Sequence, residues 1–376
     1  MSELFQITLI LITNMLVILL SQKINLPVVV GQLMIGIILG PALLNVVHQS
    51  HTIDFLAELG VILLMFLAGM ESDLKLLKKY FKPAITVAIS GVLVPLISFI
   101  LIGNIMDYQL PTSIFYGLVF AATSVSITVE VLQEYNYVKT SAGSVILGAA
   151  VVDDILAVLL VSIFSASTGT GKNNLVVIII TQLVFMFFLY LVVKYIPRIF
   201  DRLNSLQLPK KYTNFALLLC LVLSLLADYA GMSAVIGSFF AGLAISQTKY
   251  VQEIESNINL IAYSFFIPIF FTSISLPLSF KGFGTNLPII LILSIIAVLT
   301  KILPAYVSSR AFKFSKNESF TIGSGMVSRG EMALIISQIG LEAKLISTTL
   351  YSELVIVIII TTIIAPLLLK ISLKKQ

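Results

Sequence analysis

Two carboxylates stand side by side, Asp153 and Asp154, in the run Gly-Ala-Ala-Val-Val-Asp-Asp-Ile-Leu-Ala that ends at Ala157. They lie near the middle of an apolar stretch from about residue 140 to 166. A stretch that long can cross a bilayer, which takes about 20 apolar residues. A carboxylate at that depth costs about 2.5–3.5 kcal/mol by insertion scales, so it is retained where partners, water or ions offset the cost. The chemistry open to such a pair is reversible binding of a proton or of a hard monovalent cation. The bland alternative is a structural pair neutralised by protonation or by a lysine.

Lys301 is the sharpest partner for that pair. It sits mid-run in Ile-Ile-Ala-Val-Leu-Thr-Lys-Ile-Leu-Pro, residues 295–304. A buried ammonium needs an anion. One of the two aspartates supplies it, and the other is left free for a proton or a cation. A carboxylate that holds one or the other, but not both, couples the two fluxes by competition.

Two further stretches are polar at mid-membrane depth. Thr123-Ser-Val-Ser-Ile-Thr128 carries hydroxyls that compete with helical hydrogen bonding, so an interrupted helix is expected there. Freed carbonyls and hydroxyls are hard oxygen ligands suited to an alkali cation. Gly325-Met-Val-Ser-Arg-Gly-Glu331, with Gly323 just before it, marks a second break. Arg329 and Glu331 lie in it and are placed to pair with each other or with Glu130, in a structural or gating role. Glu58 is read as a structural carboxylate.

The elements that must position these groups are membrane helices. The chain of 376 residues is 58% hydrophobic and 11% charged, with a mean hydropathy of +1.07. A soluble domain carries about 25% charged residues, so a polytopic membrane protein is indicated. The apolar segments number thirteen: about 4–21, 26–41, 54–71, 84–103, 113–133, 140–166, 174–196, 213–228, 232–247, 258–277, 287–309, 319–341 and 349–369. The first has no basic flank or cleavage site and is read as an uncleaved helix. No soluble domain is expected beyond the last. A single cysteine, Cys220, excludes an intrachain disulfide, and His48 and His51 lie in one loop, so no cofactor or resident metal is expected.

The net charge of +5 reflects orientation rather than affinity for nucleic acid. Eighteen of the 23 basic residues fall in loops after odd-numbered segments or in the tail, and only Lys172, Lys281 and Lys344 fall on the opposite side. The positive-inside rule then places the N-terminus outside and the C-terminus inside. Gly31 and Gly36 in the second segment are echoed by Gly237 and Gly242 in the ninth, 206 residues on. The polar breaks in segments five and twelve repeat at nearly the same offset. Segments 2–6 and 9–13 therefore read as inverted repeats of five, an architecture of secondary transporters.

The combination of Val-Val-Asp153-Asp154, Thr-Ser-Val-Ser-Ile-Thr, Lys301 and Ser-Arg-Gly-Glu331 resembles the monovalent cation:proton antiporter-2 family, in particular bacterial Na+/H+ antiporters of the NapA type. The resemblance implies one transmembrane unit over 1–376, thirteen helices, and crossed broken helices in segments five and twelve. It implies a core, about 54–166 and 258–371, moving like an elevator against a dimerisation part, about 1–41 and 174–247. It also implies that Asp154 carries Na+ (or Li+) and the proton, that Asp153 pairs with Lys301, and that Thr123 and Ser124 help ligate the ion. A homodimer formed through segments one and eight, in the bacterial cytoplasmic membrane, belongs to the same expectation. The Asp-Asp and Lys pattern resembles electrogenic members, which exchange two protons for one Na+. A K+/H+ antiporter or K+ efflux transporter of the same family is the alternative; the glutathione-gated K+ efflux relatives carry Gln-Asp at the pair. A cation channel is the alternative of another class, but no Thr-Val-Gly-Tyr-Gly filter is present, and no hydrolase or nucleotide motif supports an enzyme.

Overall fold

The computed structural model describes residues 2–24, 26–167, 175–202, 209–278 and 287–373. Lys172, Lys281, Lys374 and Lys375, which enter the charge balance, lie outside the described residues. Every regular element among the described residues is helical. That follows from hydropathy: in lipid each backbone group must find its partner within the protein, and a helix supplies it locally.

The first part of the chain forms α1 (Glu3–Ile24), α2 (Val28–Leu39), α3 (His51–Glu71), the short α4 (Leu74–Lys79) and α5 (Phe81–Ile105). Then come α6 (Leu110–Ala121), α7 (Ser126–Glu134), α8 (Ser141–Ser167), α9 (Leu175–Arg202), α10 (Lys211–Tyr229) and α11 (Ala234–Ile245). The last third holds α12 (Val251–Ile261), a π-helical turn over Ala262–Phe266, α13 (Ile267–Ser275) and α14 (Leu287–Ala311). It ends with α15 (Lys316–Gly325), α16 (Gly330–Glu342) and α17 (Thr348–Leu373). Among the described residues ten helices are long and apolar enough to cross a membrane, with α6–α7 and α12–α13 each counted as one. Two shorter apolar helices, α2 and α11, accompany them. The protein is therefore a multi-pass membrane protein.

The two expected interruptions are present. Residues 122–125 separate α6 from α7, and residues 326–329 separate α15 from α16. Start signals frame the second: Ser315 and Glu318 form a capping box at the head of α15. Glu318 also accepts from the Ser141 hydroxyl at 2.6 Å, fixing α15 to the start of α8.

Packing sorts the helices into two bodies. α5 lies against α6, α8 and α14, while α15 lies against α14, α17 and α8. In the other body α3 packs on α11, α11 on α10, α13 on α2 and α3, and α1 on α2. The division expected at residues 54 and 258 cuts across the contacts of α3 with α11 and of α13 with α2. α3 and α12–α13 sit with α2, α10 and α11, because their small-residue faces meet those helices.

One of the tightest of these meetings is at Gly69 of α3 and Gly242 of α11. A Cβ built on Gly242 would lie 2.1 Å from the Phe66 carbonyl oxygen, and one on Gly69 would lie 2.1 Å from that of Phe239. Small residues are what allow membrane helices to approach so closely. Gly242→Val is therefore expected to destabilise the protein by at least the 1–3 kcal/mol (roughly) typical of overpacking. An unchanged thermal midpoint in detergent would mean that α3 and α11 do not meet at this residue.

Candidate cation and proton site

The two breaks touch each other at the centre of the first body. The Ser124 backbone N–H donates to the Ser328 carbonyl at 2.8 Å, and the Thr128 hydroxyl donates to the Gly325 carbonyl at 2.7 Å. Gly330 follows the second break with φ +43, and a Cβ there would fall 2.5 Å from Ser124 Cβ. A residue with a side chain would meet both the left-handed penalty and that collision. Crossing breaks of this kind bring the C-terminal ends of α6 and α15 and the N-terminal ends of α7 and α16 into one place. Each end offers backbone groups without helical partners.

Lys301 of α14 fills part of that need. Its ammonium donates to the Ala121 carbonyl at 2.6 Å and to the Thr123 hydroxyl at 2.5 Å. A cation at a helix C-terminus also complements the helix dipole. The same nitrogen lies 3.7 Å from Asp153 Oδ1, with both side chains buried. The pairing selects the first aspartate, as the helical geometry of α8 turns neighbouring side chains about 100° apart.

Asp154 faces elsewhere. It lines a small cavity of about 20 Å³ between the two bodies. One wall comes from Thr123, Val125, Ser126, Ala150, Val151, Asp154, Glu331 and Met332. The other comes from Met65 of α3 and from Ser233, Val235, Ile236 and Phe239 at the start of α11. A cavity needs about 10–15 Å³ of this kind to hold one water molecule, so the space has room for about one water-sized group beside the carboxylate. Asp154 is 8% exposed where Asp153 is 0%. That difference separates a side chain facing a cavity from one closed in packing.

Glu331 was expected to be structural or gating, yet it lines this same cavity. Its carboxylate accepts from the Ser124 hydroxyl at 2.7 Å and from the Ser126 hydroxyl at 3.0 Å. Ser124 is thereby turned to Glu331 and is not among the cavity-lining residues. Ser126, which sequence reasoning did not single out, does line the cavity; its only signal was membership of the hydroxyl run. Arg329 does not pair with Glu331 or Glu130. Its guanidinium donates to the Ala297 carbonyl at 2.7 Å and lies 5.2 Å from the centre of the Phe120 ring. Glu130, at the other half of α7, accepts instead from the Tyr263 hydroxyl in the π-helical turn at 3.0 Å. Glu58 is exposed on α3. Among the described residues no three His, Cys, Asp or Glu side chains gather to hold a metal ion.

The geometry is matched by likeness to known proteins. A family model described as sodium/hydrogen exchanger, transmembrane, matches residues 8–375. A Na(+)/H(+) antiporter of Enterococcus hirae is 46% identical over 95% of this chain and 94% of its own length. The Na(+)/H(+)-K(+) antiporter GerN of Bacillus cereus is 39% identical over 97% of this chain and 95% of its own. Among solved structures, the sodium proton antiporter MjNhaP1 from Methanocaldococcus jannaschii superposes with a TM-score of 0.73 at 18% identity, covering 99% of this chain and 95% of that one. At that identity the likeness shows the fold. With the family match running almost end to end and close relatives along its whole length, the chain belongs to the transmembrane sodium/hydrogen exchanger family, secondary transporters rather than enzymes.

Proposed function

We propose that the chain exchanges Na+ or Li+ for protons across the bacterial cytoplasmic membrane, with the two cargoes taking turns on Asp154. One observation carries this reading: Asp154 faces a cavity at the crossing of two broken helices, with the Thr123 and Ser126 hydroxyls on the same wall. Hard oxygen donors beside one carboxylate suit a monovalent cation, and a carboxylate is also a proton acceptor. The names of the relatives, Na(+)/H(+) antiporters, agree with it.

Alternating access would come from sliding of the α5–α8 and α14–α17 body against the rest, since the cavity lies between the two. Inverted repeats over thirteen spans support that motion. α2 packs on α1 and α13, as α11 packs on α10 and α3, which is the exchange of partners that a two-fold relation between the halves requires. Gly36 meets the Thr272 carbonyl as Gly242 meets that of Phe66. The charge asymmetry supports an external N-terminus, and the exposed apolar faces of α1 and α10 suit a homodimer contact. K+ is a second candidate cargo, favoured by the Na(+)/H(+)-K(+) antiporter among the relatives.

The test is dye-monitored exchange in proteoliposomes, with Na+, Li+ and K+ added in turn and with and without an imposed voltage. Na+ or Li+ is expected to drive proton movement, the half-saturating Na+ concentration should fall as pH rises, and an imposed voltage should alter the rate. Cation flux at channel rates, or flux that moves no protons, would overturn the reading.

A further inference from the structure

We propose that Glu331 is the second carboxylate of the cargo site, sharing the cation with Asp154 when one is bound and sharing the protons when none is. The proposal rests on the reading of Asp154 given above.

Position is the first reason. Asp154 and Glu331 come from different helices, α8 and α16, and open onto the same cavity. Glu331 is held there by its serines, one hydroxyl on each carboxylate oxygen. A carboxylate oxygen has two acceptor sites, so each keeps one for a cargo. A glutamate serving only as a cap or crosslink has no need of a cavity in front of it.

Charge is the second reason. Neither of the two buried cations near the crossing lines the cavity. Lys301 is directed to Asp153, Ala121 and Thr123, and Arg329 to Ala297 and the Phe120 ring. Within 4.0 Å, Lys301 pairs with Asp153 and Lys249 with Asp201. Among the described residues, neither Asp154 nor Glu331 has a cationic side chain at that range. Two carboxylates sharing a site cannot both stay ionised without positive charge beside them. A monovalent cation supplies one unit between them. In its absence protons must, one on each carboxylate at full loading. The site then exchanges one cation for up to two protons, and the extra proton of an electrogenic cycle resides on Glu331.

The experiment uses the full chain in proteoliposomes and compares Glu331→Gln, Glu331→Asp and Asp154→Asn with the parent protein. The parent's half-saturating Na+ concentration should depend on proton concentration more steeply than first order. Glu331→Gln should raise it about tenfold or more and reduce the dependence to first order, with the response to imposed voltage lost. Glu331→Asp, which keeps the charge, should restore the steeper dependence. Parent-like Na+ and pH dependence in Glu331→Gln overturns the proposal, as does a folded Glu331→Asp that behaves like the glutamine variant. If the glutamine variant does not fold, the aspartate variant decides: its shorter side chain should change the preference between Na+ and Li+, and an unchanged preference overturns the idea. Loss of exchange in Asp154→Asn beside a parent-like Glu331→Gln defeats the Glu331 proposal alone. Retained exchange in Asp154→Asn defeats the reading beneath it.

Discussion

Asp154→Asn is expected to reduce cation-driven proton movement to background while leaving the protein folded. The amide is nearly the same size as the carboxylate but carries no charge and takes no proton near neutrality. At Asp153 the same change would strip Lys301 of its anion; at Asp154 no ion pair is lost, because none is made within 4.0 Å. Removing a carboxylate that neighbours Asp153 and shares its cavity with Glu331 also relieves like-charge repulsion. The thermal midpoint should therefore hold or rise as exchange disappears. Exchange that survives in a folded Asp154→Asn protein takes this side chain out of the carrier role.

Lys301→Ala should have the opposite signature, a loss of stability first. The lysine is fully buried, and its nitrogen answers three oxygens at once: the Ala121 carbonyl, the Thr123 hydroxyl and the Asp153 carboxylate. Breaking a buried pair by removing one partner typically costs about 3–5 kcal/mol, because the other charge is left uncompensated. Here the last turn of α6 loses its cationic cap as well. A large drop in thermal midpoint is expected for Lys301→Ala and a smaller one for Asp153→Asn, where the ammonium keeps the Ala121 carbonyl and the Thr123 hydroxyl. Unchanged midpoints in both variants would mean that the pair does not form.

Much of this was legible before any coordinates. Apolar runs alone located the helices, since in lipid hydropathy and backbone satisfaction point to the same answer. The hydroxyl run at Thr123–Thr128 and the glycines around Arg329 located the breaks, because both disturb local helical bonding. Lys301 announced its need for an anion by its depth. Periodicity alone does not say which of two adjacent aspartates faces it; family resemblance implies Asp153, and Asp153 Oδ1 lies 3.7 Å from its nitrogen. Arg329 was misread for a different reason. A guanidinium was expected to seek a carboxylate, and here it takes a backbone carbonyl and an aromatic ring. Any residue has a carbonyl, so no residue type signals that choice. Glu331, read as structural or gating from its place beside a helix break, also lines the cavity, which residue type alone does not signal. The allegiance of α3 and α13 was equally hidden, since packing partners depend on faces that distant segments bring together.

The contact of Gly69 with Gly242 bears on how such a molecule can move. Where two main chains touch, no layer of side chains remains to change rotamers and let one rod travel past the other. α3 and α11 are thus riveted into a single beam, and travel is diverted to the nearest surface where side chains do meet. Shear between packed helices proceeds across such surfaces in small steps. The surface at hand is the one where Val235, Ile236 and Phe239 look across at Asp154, so the sliding proposed above would carry the aspartate along a plane of side-chain contact.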